Sequence, residues 1–158
     1  MDMHTSQRFD SLSRRRGARR IVPGEVHHLI VGTLGQAGWF SDFHVGCVAI
    51  RAFREPALLG DAELLAWVLM PDHCHWLLRA GRQMPVEKAA SRMKSASAAQ
   101  VNRVLSRAGP LWEPAFRDRT LRAEEDVRDV ARAIVANPLR AGLSDRLGDY
   151  PFWDCVWL

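Results

Sequence analysis

The sequence predicts an α+β layer, an antiparallel sheet with helices packed on one or both of its faces. Three observations carry that expectation. Short β-rich runs alternate along the chain with longer stretches of helical periodicity. Two apolar runs of strand length flank Pro71-Asp72, which reads as a β-hairpin. The chain contains no internal repeat and no low-complexity segment. At 158 residues it has the length of one domain and can bury a single core.

In order along the chain, residues 1–20 lack apolar periodicity and read as a basic N-terminal arm. The remainder, 21–158, reads as the single folded domain, with a docked C-terminal tail at about 143–158. VHHLIVGT (26–33), between Pro23-Gly24 and Gly35, is a strand. Residues 42–55 space Phe43, Cys47, Ile50 and Phe53 as a helix closed by Pro56. AELLAWVLM (62–70) and HCHWLLR (73–79) form the hairpin. A long helix spans about 85–107, opening at Pro85. Val86, Ala90, Met93, Ser97, Val101 and Val104 form its apolar stripe; Lys88, Arg92, Ser95 and Arg103 lie opposite. Gly109-Pro110 stops it. LWEPAFRDRTLR (111–122) is a loop plus a strand. Glu124 to Ala136 is a further helix with an acidic first turn that suits its dipole, ended by Asn137-Pro138. The tail SDRLGDYPFWDCVWL is turn-rich, with two tryptophans that dock on the domain, whereas Trp67, Trp76 and Trp112 belong to the core.

Composition narrows the functional classes. Three cysteines with no C-x-x-C pair argue against a disulfide framework or a zinc knuckle. No apolar stretch approaches the roughly 20 residues that a bilayer requires, and no apolar segment follows the N-terminal arginines as in a signal peptide. A cytoplasmic protein is expected. The net charge is +4, and all 22 basic residues except Lys88 and Lys94 are arginine, whose planar fork matches phosphate oxygens. SRRRGARR (13–20) carries Arg14, Arg15, Arg16, Arg19 and Arg20 with no acid. This pattern suits a polyanion such as nucleic acid or, equally, a solvated basic surface.

The most specific stretch is LMPDHCHWLL (69–78). Residues i and i+2 of a strand share a face, so His73 and His75 present their imidazoles side by side while Cys74 and Trp76 point away. Two such rings just past a turn can make two corners of a divalent-metal site, or can be ordinary half-exposed strand histidines. His27, His28 and His44 belong to no motif and read as structural.

MPDHCHWLL resembles the histidine–hydrophobe–histidine signature of HUH nucleases, and in particular the single-tyrosine transposases. GPLWEPAF-x-D (109–118), ARxIVANPLRAGL (131–143) and GDYPFWDCVWL (148–158) are similar to one branch, the REP-associated tyrosine transposases. The resemblance covers about residues 20–158. It implies a ferredoxin-like fold whose antiparallel sheet carries the histidine pair and whose nearby helix carries a nucleophilic tyrosine. It implies Mg²⁺ or Mn²⁺ on His73, His75 and Asn137, with the cation polarising a scissile phosphate. Attack by the tyrosine would leave a 5′-phosphotyrosine intermediate, and the partner would be single-stranded DNA beside a REP-type palindromic hairpin. A monomeric working unit in the bacterial cytoplasm, at the nucleoid, with no membrane partner, goes with it.

The chain departs from that pattern at one place. The family helix motif reads Tyr-Ile-x-x-Asn-Pro, and its tyrosine position is Ala133; Asn137, four residues on, shares its helix face. An alanine offers no nucleophile, so this chain is expected to bind DNA without cutting it. Tyr150 is the one tyrosine and reads as a tail anchor. Two histories give Ala133: a natural copy that lost cleavage and kept hairpin binding as a regulator, or a deliberate replacement. A small hydrolase using the same histidines and a water nucleophile is a third class, and would cleave DNA with Ala133 in place. Phosphate contacts are expected from the arm, from Lys88, Arg92 and Arg103, and from Arg117 and Arg119 on one face of a strand.

Overall fold

In the computed structural model, which describes residues 21–158, five strands form one antiparallel sheet. They are β1 (Val26–Gly32), β2 (Glu63–Leu69), β3 (His73–Arg79), β4 (Arg117–Thr120) and β5 (Trp153–Cys155), in the spatial order β4-β1-β3-β2-β5. Helices α1 (Phe43–Phe53), α2 (Val86–Leu105), α3 (Val127–Val135) and α4 (Asn137–Arg140) complete the α+β architecture expected from the sequence.

The period-2 alternation of the strands sorts their side chains into two cores. On one face Leu29, Val31, Trp67, Leu69, Cys74, Trp76 and Leu78 pack against Val45, Ala49 and Phe53 of α1 and Val86, Ala90, Met93 and Val101 of α2. On the other, Ala66, Val68, Leu77 and Cys155 meet Ala131, Ile134 and Val135 of α3. Because α3 packs chiefly over β2 and β5, the β4-β1 end of this second face carries polar side chains instead of a helix.

The hairpin turn at Pro71-Asp72 is pinned from outside. Met70 N–H donates to His73 O at 2.8 Å, Phe40 N–H to Pro71 O at 3.1 Å and Thr33 N–H to Asp72 O at 2.9 Å. The buried Thr33 hydroxyl also lies 3.0 Å from Asp72 O. The tail is pinned just as firmly. Phe152 is buried against Gly46 of α1, where a Cβ would stand 2.4 Å from the ring, so glycine alone admits it.

Four details differ from expectation. The helix predicted from Glu124 starts at Val127, because Asp126 caps it by accepting Arg128 N–H at 2.8 Å. Asn137-Pro138 does not simply end that helix; Pro138 occupies the first turn of α4, where its missing N–H costs nothing. Val104 is 42% exposed, and Leu105 beside it packs against the core instead. The tail adds a fifth strand, since β2 presents an edge to which Trp153–Cys155 can pair.

Candidate active site

His73 and His75 project from β3 onto the α3 side of the sheet, with ring centroids 5.0 Å apart. Cys74 and Trp76 are fully buried on the other side. Each imidazole is held through its Nδ1. His73 Nδ1–H donates to Asp72 Oδ1 at 2.7 Å, an arrangement fixed by the pinned turn. His75 Nδ1 lies 2.9 Å from Nε2 of His28 on β1, and these two rings stack with centroids 5.2 Å apart. The consequence is at the opposite nitrogens. His75 Nε2 is buried with no hydrogen-bond partner among the described residues, and no described hydrogen bond uses His73 Nε2.

A buried polar atom without a partner is costly and calls for an explanation. A cation is one that suits the donor type, because a neutral imidazole nitrogen ligates through its lone pair. The half-buried His28 and the buried His75 both favour the neutral form. Burial, then Arg119 and Arg117, push His28 down to about 4. Burial, then His73, His28, Arg140 and Arg117, hold His75 well below the usual histidine range. Among the described residues no three His, Cys, Asp or Glu side chains could hold a metal together, so two imidazoles here would need a donor of another type.

The α3–α4 junction carries such a donor. The Asn137 amide nitrogen donates to Ile134 O at 2.7 Å, with a longer 3.5 Å approach to Ala133 O, so the side chain closes the end of α3 through its nitrogen alone. Its Oδ1 accepts no described bond. Ala133 is exposed on α3, and its carbonyl accepts from Arg140 Nη2 at 3.0 Å. The charge of Arg140 acts on His75, which ties this junction electrostatically to the histidines.

Two further cations stand at the open end of the face. In the β1–β4 register Arg119 is opposite His28 and Arg117 opposite Ile30, which puts both on the histidine side. Arg119 Nη1 lies 2.8 and 2.9 Å from the two Glu125 oxygens. Arg117 is exposed and has no ion pair among the described residues. Between them Asp118 points through the sheet and accepts from His27 Nδ1–H at 2.7 Å. Burial opposes a charge on His27, but the Asp118 hydrogen bond and charge, helped by Glu25 and Glu87, outweigh it and raise its pKa.

The expected site residues thus divide. His73, His75, Arg117 and Arg119 share one face, and Ala133 and Asn137 share the helix junction linked to it. Lys88, Arg92 and Arg103 lie on α2, in the opposite layer. There Lys88 and Arg92 line an open depression of about 490 Å³ with Leu58, Ser91, Ser95 and Ala96, and Arg92 Nη2 donates to Ala57 O at 3.0 Å. Arg14, Arg15, Arg16, Arg19 and Arg20 fall outside the described residues. Tyr150 donates its hydroxyl to Leu69 O and packs on Phe152; burial, then Cys74, push it up to about 12. It anchors the tail. The sequence reading missed His28, Arg140 and the role of Asp72. For His28 a signal existed: where His27 and His28 follow each other in a strand, one of the two must face each side.

The family model described as "Transposase IS200 like" matches residues 27–132, a span that includes His28, His73, His75, Arg117 and Arg119 and stops before Ala133, Asn137 and Arg140. A REP-associated tyrosine transposase of Escherichia coli (strain K12) is 28% identical over 95 residues, 57% of this chain and 52% of that protein. The match therefore spans about half of that relative. Among solved structures, a REP-associated tyrosine transposase bound to a REP hairpin superposes with a TM-score of 0.64 at 19% identity, over 88% of this chain and 81% of the other. The crystal structure of a Deinococcus radiodurans protein gives a TM-score of 0.54 at 25% identity, over 78% of this chain and 97% of the other.

Proposed function

Because the chain belongs to the IS200-like transposase family, we propose that its histidine face is the seat of a DNA phosphate beside a single-stranded hairpin. The REP class of palindrome is proposed from the similarity to the REP-associated transposases. The observation that carries the reading is the pair of imidazoles tied back through Nδ1, one with a buried, unpartnered Nε2, next to three arginines.

A divalent cation would be held by His73 Nε2, His75 Nε2 and Asn137 Oδ1, and when bound it supplies positive charge to the phosphate oxygens. Two nitrogens and an amide oxygen suit Mn²⁺ better than the strictly oxygen-loving Mg²⁺. Asp72 and the pinned turn keep His73 in place. Arg117 and Arg140 clasp phosphate oxygens, and Arg119 joins them by exchanging Glu125 for phosphate. Lys88, Arg92 and Arg103 extend backbone contacts onto the second layer, so the nucleic acid wraps the domain edge, and the arm arginines, which lie outside the described residues, add contacts to phosphates.

Strand cleavage in this reaction class forms an oxygen–phosphorus bond from a tyrosine and releases the 3′-hydroxyl. Ala133 supplies no oxygen. This chain therefore binds its hairpin and leaves it intact, and Tyr150, protonated and committed to Leu69 O, does not substitute.

The test is a denaturing gel of labelled palindromic single strands with Mn²⁺. The chain should shift the hairpin on a native gel but leave it uncut, and Ala133→Tyr should give a covalent protein–DNA adduct. Cleavage by the unaltered chain without an adduct would assign it to the water-using hydrolases instead. Ala133 itself favours one further reading, a regulator that binds hairpins and has lost catalysis throughout. In that case Ala133→Tyr binds but stays inert.

A further inference from the structure

The deepest histidine of the site makes its one side-chain hydrogen bond among the described residues to a partner that no motif marks. His28 and His75 lie on neighbouring antiparallel strands. In register His28 faces Leu77 and His75 faces Ile30, so the two histidines are diagonal neighbours on one face, within reach of aromatic side chains. Their rings stack with 27° between planes, and His28 Nε2 is 2.9 Å from His75 Nδ1.

From this geometry we infer that His28 is a positioning residue, accepting the Nδ1 proton of His75 and so leaving the buried Nε2 of His75 free to ligate. A histidine has one proton to place between two nitrogens, and the partner on one nitrogen decides the state of the other. If His28 donated instead, His75 would carry its proton on Nε2, where the described residues provide no acceptor. Imidazole, in place of the carboxylate that serves His73, also fits the neighbourhood. A carboxylate at position 28 would lie opposite Arg119 and near Arg117, and would draw into ion pairs the guanidiniums that a phosphate needs. The inference rests on the metal reading of the same site.

Two measurements on the full chain separate the inference from that reading. Long-range ¹H–¹⁵N spectra of the metal-free protein report which nitrogen of His75 holds the proton. Calorimetric titration with Mn²⁺ reports affinity. The native chain should show His75 as the Nδ1–H tautomer. His28→Phe, which keeps a stacking ring and removes the acceptor, should shift the proton to Nε2 and weaken Mn²⁺ binding by about 10- to 100-fold. His28→Gln, whose amide oxygen can stand where Nε2 stood, should restore affinity to within about threefold of native, a fraction of that loss. A His75 proton on Nε2 in the native chain, or native Mn²⁺ affinity in His28→Phe, overturns the inference. A native chain that takes no Mn²⁺ yet shows His75 as Nδ1–H sinks the metal reading and leaves the positioning role of His28 supported.

Discussion

Two adjacent histidines on β1 face opposite ways and do opposite work. His28 sits among arginines and stays neutral, whereas His27, 5% exposed, sits against Asp118 and Glu25 and is biased toward its charged form. Its folded pKa is raised above the ordinary histidine value of 6.5, so its contribution to stability is full below that pH and is lost as pH rises through the folded value. The difference in urea-unfolding free energy between the native chain and His27→Gln should therefore be larger at pH 5.5 than at pH 8.5. A difference independent of pH would show that Asp118 holds His27 by shape alone. Comparing the two proteins at each pH cancels His28 and His75, whose depressed values act in the opposite sense. At this scale the sequence could show that His73 and His75 share a face, because a period of two is local. It could not show that His75 meets His28, because that depends on the β1–β3 register between strands far apart in the chain.

At the scale of elements, local pattern again marks what was legible. The hairpin, α1 and α2 follow from periodicity and Pro/Gly punctuation, which the structure keeps to within a few residues. The start of α3 was obscured because Glu124 and Glu125 looked like an acidic first turn. Glu125 is spent elsewhere, on the Arg119 side chain and on Arg122 N–H at 2.7 Å. The fifth strand was hidden because three residues carry too little alternation to announce themselves; β5 exists because β2 offers an edge and Gly46 offers a seat for Phe152. That seat makes a prediction against helix propensity. Gly46→Ala should gain about 1 kcal/mol as a helix residue, but displacing the Phe152 ring should cost more, on the order of 1–3 kcal/mol for overpacking plus lost ring burial. Urea unfolding should show net destabilisation. Hydrogen exchange should quicken at Leu69 N–H, which is bonded to Phe152 O at 2.9 Å. A variant as stable as the native chain would mean that the tail contributes little to the fold.

Across the whole molecule, the sheet divides two basic surfaces, one with Arg117, Arg119 and Arg140, the other with Lys88, Arg92 and Arg103. Hairpin affinity measured against salt can weigh them. Arg117→Ala and Arg140→Ala should each weaken binding across all sequences and lower the slope of log affinity on log salt by about 1. Replacing Lys88, Arg92 and Arg103 together should lower the slope further if the strand passes round the edge, and unchanged affinity would confine the contact to the histidine side. No helix among the described residues is long and apolar enough to cross a membrane. The exposed setting of Ala133 has one more consequence. Its methyl group props up nothing, so the position behaves as an interchangeable socket: fitting a cysteine, a tyrosine or a photo-crosslinking side chain there would retool the chemistry while the scaffold underneath goes on folding as before.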